Sequence, residues 1–474
     1  MLNITQNDYN IVKQRNLERY IKLNILDFQY RIVDEISGNM ISCSVQCDSD
    51  SDLRRSCSTS LVVTNNRFDI QPGGEIYLDK MIQLYIGLRN IYTDEIQWYN
   101  QGIYLIDAPT WEYDATNNTL SFSGLDLMSK LTGARNGQLE GIPTVIKKGE
   151  SVREAMIATL ALGGFTKYVV SECTNRDGTV QAVPYDIEIE QGGYVYDILA
   201  KLRDVLPQYQ IYFDVDGVFH YELIPSGDDD PVLIDDDIWD SVLIKESINT
   251  DFASVKNYIE VYGRTHDPDY YPSEISVSGA TVIMTIVKLT ELNEYDMIGF
   301  TPNAAVSGNI QLSVNAFGAK DLVDSNGSHI TSLENNVYYV AQYQADGTWL
   351  FLGHQQAKAI WSDTNPESPF YVDGPVGRIR QVLYGGDYDN IISDELALER
   401  AKIEIYWKCR LNDSITLDII PIPWMDVNIV VSHALKDSDI QNRYIVKSYS
   451  VDYSTVGATM SVSMISYYAY YPIY

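Results

Sequence analysis

From Tyr20 onward, apolar and polar residues alternate with a period of two, the pattern of strands buried on one face only. The segments KLNILD, YRIVDEISG and MISCSVQC come in succession, and CSTSLVV follows with Cys57, Thr59, Leu61 and Val63 on one side. Gln71-Pro72-Gly73-Gly74 makes a turn, and Ile82, Leu84, Ile86 and Leu88 form the next apolar face. The stretch Gln101–Gly133 then reads strand, turn, strand, helix. Pro109 interrupts Ile103–Tyr113, which predicts an edge strand or a bent one, with Trp111 and Tyr113 sharing a half-buried side. Asn117-Asn118 supplies the turn, Leu120 and Phe122 resume the apolar face, and Gly124 releases the chain into a short helix. Leu127, Met128 and Leu131 stripe that helix, and Gly133 ends it. Evenly spaced strands with one appended helix predict a barrel or sandwich over residues 20–140, behind a polar N-terminal arm at 1–19.

The pattern changes at Gly141-Ile142-Pro143, where an α+β domain is expected to begin and run over 141–247. Ser151 and Glu154 form a capping box for a helix with Met156, Ile157 and Leu160 on its apolar face, stopped by Gly163-Gly164. A second helix, Tyr194 to Leu206, carries Val195, Ile198, Leu199, Leu202 and Val205 at helical spacing and halts at Pro207. QIYFDVDGVFHYEL then reads as a hairpin turning at Asp216-Gly217. Asn257–Gly263 is a further strand. Residues 273–366 are rich in Asn, Ser, Gly and Val with short strands, the composition of an inserted β-sandwich module. Ser393 caps a helix from Asp394 to about Lys408, with Leu396, Ile403 and Trp407 among its apolar positions. The end is β again: SITLDIIPIPWMDVNIVV, RYIVKSYSVDYS, a Val456-Gly457 turn and TMSVSMISYYAYY. A second barrel is expected from 248–272 together with 367–474.

At 474 residues the chain exceeds one core, in line with this division. Its 65 acidic and 34 basic residues give a net charge of −31, which excludes general nucleic-acid binding, since phosphate contact needs clustered cations. The acidity serves solubility, or lines a passage through which DNA slides without sticking; Asp228–Asp230 and Asp235–Asp237 read as exposed loops. The first twenty residues hold Asp8, Lys13, Arg15, Glu18 and Arg19 and no apolar core of a signal peptide. The longest apolar runs, near Met156–Leu162 and Val282–Val287, fall short of a membrane span. Synthesis in the cytosol is the expectation, with reduced thiols at Cys43, Cys47, Cys57, Cys173 and Cys409.

Candidate chemistry is sparse. Cys43, Cys47 and Cys57 cluster, but no fourth ligand has zinc spacing, so core packing is their expected role. The loop Asp48-Ser49-Asp50-Ser51-Asp52 resembles a cation loop without the bidentate Glu, and is read as a solvated hairpin loop. Asp214-x-Asp216-Gly217 mimics the start of a calcium loop, but the strand continues directly through Val218, Phe219 and His220. His220, His266, His329, His354 and His433 belong to no HExxH, and no GxSxG, Walker A, GxGxxG or CxxC pattern occurs. The expectation is therefore no catalytic residue, no cofactor and no metal ligand.

Four blocks in a fixed order carry a family resemblance. They are LRRSCSTSLVV at Leu53–Val63; the Gln101–Gly133 stretch with Gly124-Leu125-Asp126-Leu127-Met128; DILAKLRDVLPQYQIYFDVDGVFHYEL followed by KNYIEVYG; and a helix with Arg400-Ala401 leading to LDIIPIPWMDVNIVV and RYIVKSYSVDYSTVGATMSVSM. In these the chain resembles the tail hub proteins of tailed-phage baseplates and tail tips, related to the hubs of contractile injection systems. The resemblance implies two hub-type β-barrels of similar fold, Ile21–Gly133 and Ile248–Gly263 with Ser414–Ile465, plus the α+β domain and the inserted module. It implies a homotrimer whose six barrels match a hexameric tail tube, closing its distal end and opening for DNA. Partners would be distal tail and tail tube proteins, the tape measure protein, and tail fibre or spike proteins. Phage DNA would pass without specific binding, the channel lining would hold the acidic excess, and the protein would reside in the virion after synthesis in the host cytoplasm. Such a hub needs no active site, and the end at Tyr474 leaves no room for a peptidase or lysozyme domain. Two other classes stay open. A carbohydrate- or receptor-binding tail protein is suggested by 36 Tyr, 7 Trp and the inserted module, and a cell-wall hydrolase ranks behind it.

Overall fold

The computed structural model describes residues 4–14, 16–38, 40–63, 68–140, 144–173, 180–183, 186–206, 209–224, 236–436, 441–454 and 457–466. The chain divides into two units, Met1–Thr250 with Asp413–Tyr474, and Asp251–Asn412. It is mainly β with α+β parts, as the alternation predicts. Asp228–Asp230, Asp235, Gly141-Ile142-Pro143, Pro207, Val456 and the last residues from Tyr467 lie outside the described residues.

The first unit is built on one twelve-stranded sheet. Its order runs Leu243–Asp251, Asn412–Ile419, Ala458–Ser466, Gln441–Ser454, Met40–Asp48, Arg55–Val62, Asn118–Asp126, Ile96–Tyr113, Met81–Arg89, Arg19–Leu26 and Ile32–Ser37, with Val430–Ala434 paired onto Gln441–Ser454. The join between the two ends of the chain is antiparallel, with Tyr449 opposite Cys47, Val451 opposite Val45 and Tyr453 opposite Cys43. Inward residues from both ends (Leu23, Val45, Ile86 and Phe122 with Leu417, Val451 and Val462) belong to one continuous core. The C-terminal strands therefore complete the sheet that the N-terminal strands begin.

That arrangement corrects the expected second barrel. Tyr258–Thr265 pairs with Gln356–Ser362 and Arg380–Leu383 in the second unit, whereas Gln441–Ser454 pairs with Met40–Asp48 in the first. Alternation shows which face of a strand is buried, and nothing in it names the neighbour. Asn257 explains why its strand stays in the second unit. Its fully buried amide donates to the carbonyls of Phe370 and Gly377 at 2.8 Å each and accepts from the Ile379 N–H at 2.7 Å, tying the strand to the loop that follows Ser362.

On the face away from the core the sheet is paved with small hydroxyls. Ser454, Ser42, Ser60 and Ser121 lie in one row across four strands, and Asp452, Ser44, Ser58 and Ser123 in the next. Ser121 donates to Ser60 at 3.2 Å. Past its bulge at Asp107–Thr110, the Ile96–Tyr113 strand runs beyond the core, so Trp111 and Tyr113 are 58% and 71% exposed rather than half-buried. The predicted helix after Gly124 shortens to one 3-10 turn, Leu127–Lys130, capped by Asp126, whose carboxylate accepts the Met128 N–H at 2.8 Å. Leu127, Met128 and Leu131 are buried as predicted, and Gly133 adopts φ +88° against the Tyr194 ring.

The α+β part of the first unit has its own core, with Met156 and Leu160 from the Val152–Leu162 helix and Val195, Ile198, Leu199 and Leu202 from the Val195–Asp204 helix. Ser151 caps the first helix through the Glu154 N–H, while the Glu154 carboxylate bonds Arg153 instead of reaching back.

In the second unit, residues 274–353 form a seven-stranded sheet with a two-stranded companion around a core containing Phe300, Leu312 and Trp349. Both halves of its strand order, Glu274–Ser278 to Ala319–Val323 and Trp349–Gly353 to Met297–Phe300, send side chains into that core, and Gln356–Ser362, expected within this module, belongs to the neighbouring three-stranded sheet. The Asp394–Lys408 helix begins at Ser393 as predicted, its hydroxyl accepting the Leu396 N–H at 3.2 Å. Its inward stripe is Ala397, Ala401 and Ile405 against Ile259, Val261 and Leu383, and Trp407 points out, 41% exposed.

Candidate functional site

The most elaborate polar arrangement in the first unit lies where the α+β hairpin meets the large sheet. Arg54 and Arg55 open the Arg55–Val62 strand and are 5% and 2% exposed. Arg55 donates to the Phe213 carbonyl at 2.8 Å and to the Asp426 carboxylate at 2.6 Å. Arg54 donates to Gln210 at 3.0 Å and to the Val427 carbonyl at 3.2 Å, with its guanidinium 3.8 Å from the centre of the Tyr212 ring. Asn428, at φ +54°, donates to the same Gln210 oxygen at 2.6 Å. Two guanidinium groups thus tie together the start of an N-terminal strand, the Tyr209–Phe213 strand and the segment Asp426–Asn428. Such forks suit arginine, whose planar donors bridge several acceptors at fixed angles.

The electrostatics follow from burial. Desolvation opposes the Asp426 carboxylate, but Arg55 and Arg54 outweigh it and hold its pKa below the usual range. Asp126, without a direct cation partner, goes the other way: burial pushes it up to about 6 against the pull of the Met128 N–H and Arg55. The sequence displayed this junction only as two adjacent arginines ahead of an apolar strand. A cation pair entering a buried strand is the signal that could have found it.

Next to it, His220 sits between two carboxylates, Nε2 3.1 Å from Asp214 and Nδ1 3.4 Å from Glu222, with its ring stacked on Tyr212. Burial opposes its charge, but the two carboxylates raise its pKa to about 9. Its unfolded value lies near 6.5, so this clamp contributes stability fully below that pH and loses it as pH rises through about 9. Urea midpoints measured across pH 6–10 are expected to fall more for the wild type than for His220→Gln over that window. Parallel profiles would refute the clamp.

The other residues singled out from the sequence are dispersed. Cys43, Cys47 and Cys57 are buried in the core, where desolvation pushes Cys43 and Cys47 up to about 12 and about 11. In the Asp48–Asp52 loop, Asp48 accepts the Asp50 N–H, Asp50 meets Lys447, and Asp52 accepts the Tyr196 hydroxyl. Asp214 accepts the Asp216 and Val218 N–H groups across a turn in which Gly217 has φ +71°, longer than a two-residue turn. His266 bonds the Ile392 carbonyl, His354 bonds Asp394, the 1%-exposed His433 meets Glu246 at 3.0 Å, and His329 is exposed. Among the described residues no three His, Cys, Asp or Glu side chains converge as a metal site, and no helix is long and apolar enough to cross a membrane.

Residues 367–472 match a family model described as a domain of unknown function, DUF5048. No curated protein matches the chain. Among solved structures, a tail protein from Neisseria meningitidis MC58 is 10% identical, with 94% of this chain and 96% of that one covered, at a TM-score of 0.50. The 43 kDa tail protein of prophage MuSo2 from Shewanella oneidensis is 9% identical, with 94% and 98% covered, also at 0.50. The chain has the fold of these phage tail proteins.

Proposed function

We propose that this protein is a structural component of a phage tail, forming the homotrimeric hub that closes the distal end of the tail tube and opens for DNA. The observation that carries the reading is the likeness of fold over 94% of the chain to two tail proteins, each matched over nearly its whole length. The guanidinium junction supports it physically. A hub transmits load, and buried charge-assisted bonds that span three segments resist their separation better than exposed pairs do. In this reading the chain works by assembly, not by catalysis, and its neighbours are tail tube, tape measure and fibre or spike proteins in the virion. The mass of the purified protein in solution is the test. Three times the 53.6 kDa of one chain is expected, and a monomer at micromolar concentration would sink the trimeric hub.

A further inference from the structure

One cation stands where the alternation of its strand asks for an apolar side chain. Arg19 shares a face of the Arg19–Leu26 strand with Ile21, Leu23 and Ile25, all of which pack in or against the main core of the first unit. Elsewhere Arg55, Arg89, Arg380 and Arg400 each meet a carboxylate. No carboxylate among the described residues offsets Arg19, whose pKa burial pulls down, and its Nε is enclosed without an acceptor. The adjacent Glu18 is committed to Arg89 at 2.7 Å and to the Tyr20 hydroxyl at 3.2 Å. Arg19 lines a cavity of about 180 Å³ together with Ile21, Ile41 and Tyr453. Burial pushes the Tyr453 phenol up, so it stays protonated and able to donate.

We propose that this cavity binds a carboxylate carried on a short aliphatic stem. A half-buried cation without a counter-charge is costly. Its planar guanidinium offers parallel donors that match the two oxygens of a carboxylate. The Tyr453 hydroxyl supplies a neutral donor, and Ile21 and Ile41 give the stem an apolar wall. Phosphate fits worse, since a more strongly hydrated ion of higher charge would meet one cation and apolar walls. The carboxylate comes from a free short-chain acid or from an acidic side chain of a second copy of this chain, which carries 65 of them. The site does not rest on the hub reading.

Calorimetric titration of the full-length protein with butyrate, butanol and inorganic phosphate tests it. Butyrate is expected to bind, and butanol and phosphate at least about tenfold more weakly. Arg19→Met keeps the stem and removes the charge, and should weaken butyrate about tenfold without lowering the thermal midpoint. Tyr453→Phe, nearly isosteric, should weaken it about threefold. Equal binding of butanol or phosphate, or butyrate binding that survives Arg19→Met, overturns the proposal. A carboxylate supplied by a second copy shows itself differently: the oligomer mass falls in Arg19→Met, and in the wild type when butyrate is added. Absence of both butyrate binding and that fall in mass overturns the proposal. The mass of the untreated wild type, which tests the trimeric hub, is independent of these outcomes.

Discussion

Replacing Asp426 by alanine is expected to destabilise the first unit by about 3–5 kcal/mol, more than replacing its partner Arg55 by methionine. The asymmetry comes from burial. Arg55 is 2% exposed and Asp426 32%, so losing the carboxylate strands a guanidinium that water cannot reach, whereas losing the guanidinium leaves a carboxylate that can hydrate. Arg55→Met keeps most of the volume and removes the charge, at about 1–3 kcal/mol. The double variant Arg55→Met with Asp426→Leu is expected to recover part of the Asp426→Ala loss, because an apolar pair leaves no orphaned charge. Urea denaturation suits the comparison, since guanidinium chloride screens ion pairs. An Arg55→Met loss equal to or larger than that of Asp426→Ala would show that the pair is not the organising contact.

The second large effect is expected at Asn257. Asn257→Ala leaves two carbonyls and one N–H without their partner, and at about 1–3 kcal/mol for each buried unmet group the total reaches about 3 kcal/mol. Asn257→Asp should be at least as damaging, because a carboxylate satisfies the Ile379 N–H but turns its charge on the carbonyls of Phe370 and Gly377. Hydrogen exchange locates the damage: residues 363–379 should lose protection while the Arg55–Val62 strand keeps it. Loss spread evenly over both units would contradict a local tether.

Much of the architecture was legible because it is local. Alternation in Arg55–Val62 and Met81–Arg89 reported their buried faces correctly, and the caps at Ser151 and Ser393 were visible as single residues ahead of helices. What stayed hidden depends on distant partners. Tyr258–Thr265 and Gln441–Ser454 both alternate, but only the fold shows that one joins Gln356–Ser362 and the other Met40–Asp48. The Asp394–Lys408 helix misled in a different way. Its inward stripe, Ala397, Ala401 and Ile405, packs with Ile259, Val261 and Leu383, partners that helical periodicity does not name. The guanidinium junction was half legible: the arginines stood out, while Gln210 and Asn428 looked like ordinary polar residues until folding brought them to one place.

The pairing of Val451 with Val45 also sets a clock. About 400 residues of chain separate these partners, and at about 5–20 residues per second a ribosome needs roughly 20–80 s to make them. Through that interval Met40–Asp48 has emerged but its neighbour has not, and an unpaired strand edge invites pairing with other chains. The serines facing away from the core on this strand, Ser42 and Ser44, give a stray strand little apolar surface to stack on. Asp251–Asn412 emerges complete before the final strands and can fold in the meantime. Full-length protein should therefore acquire its last protection in Met40–Asp48 and Gln441–Ser454 together, late and as one step, since neither edge is satisfied without the other.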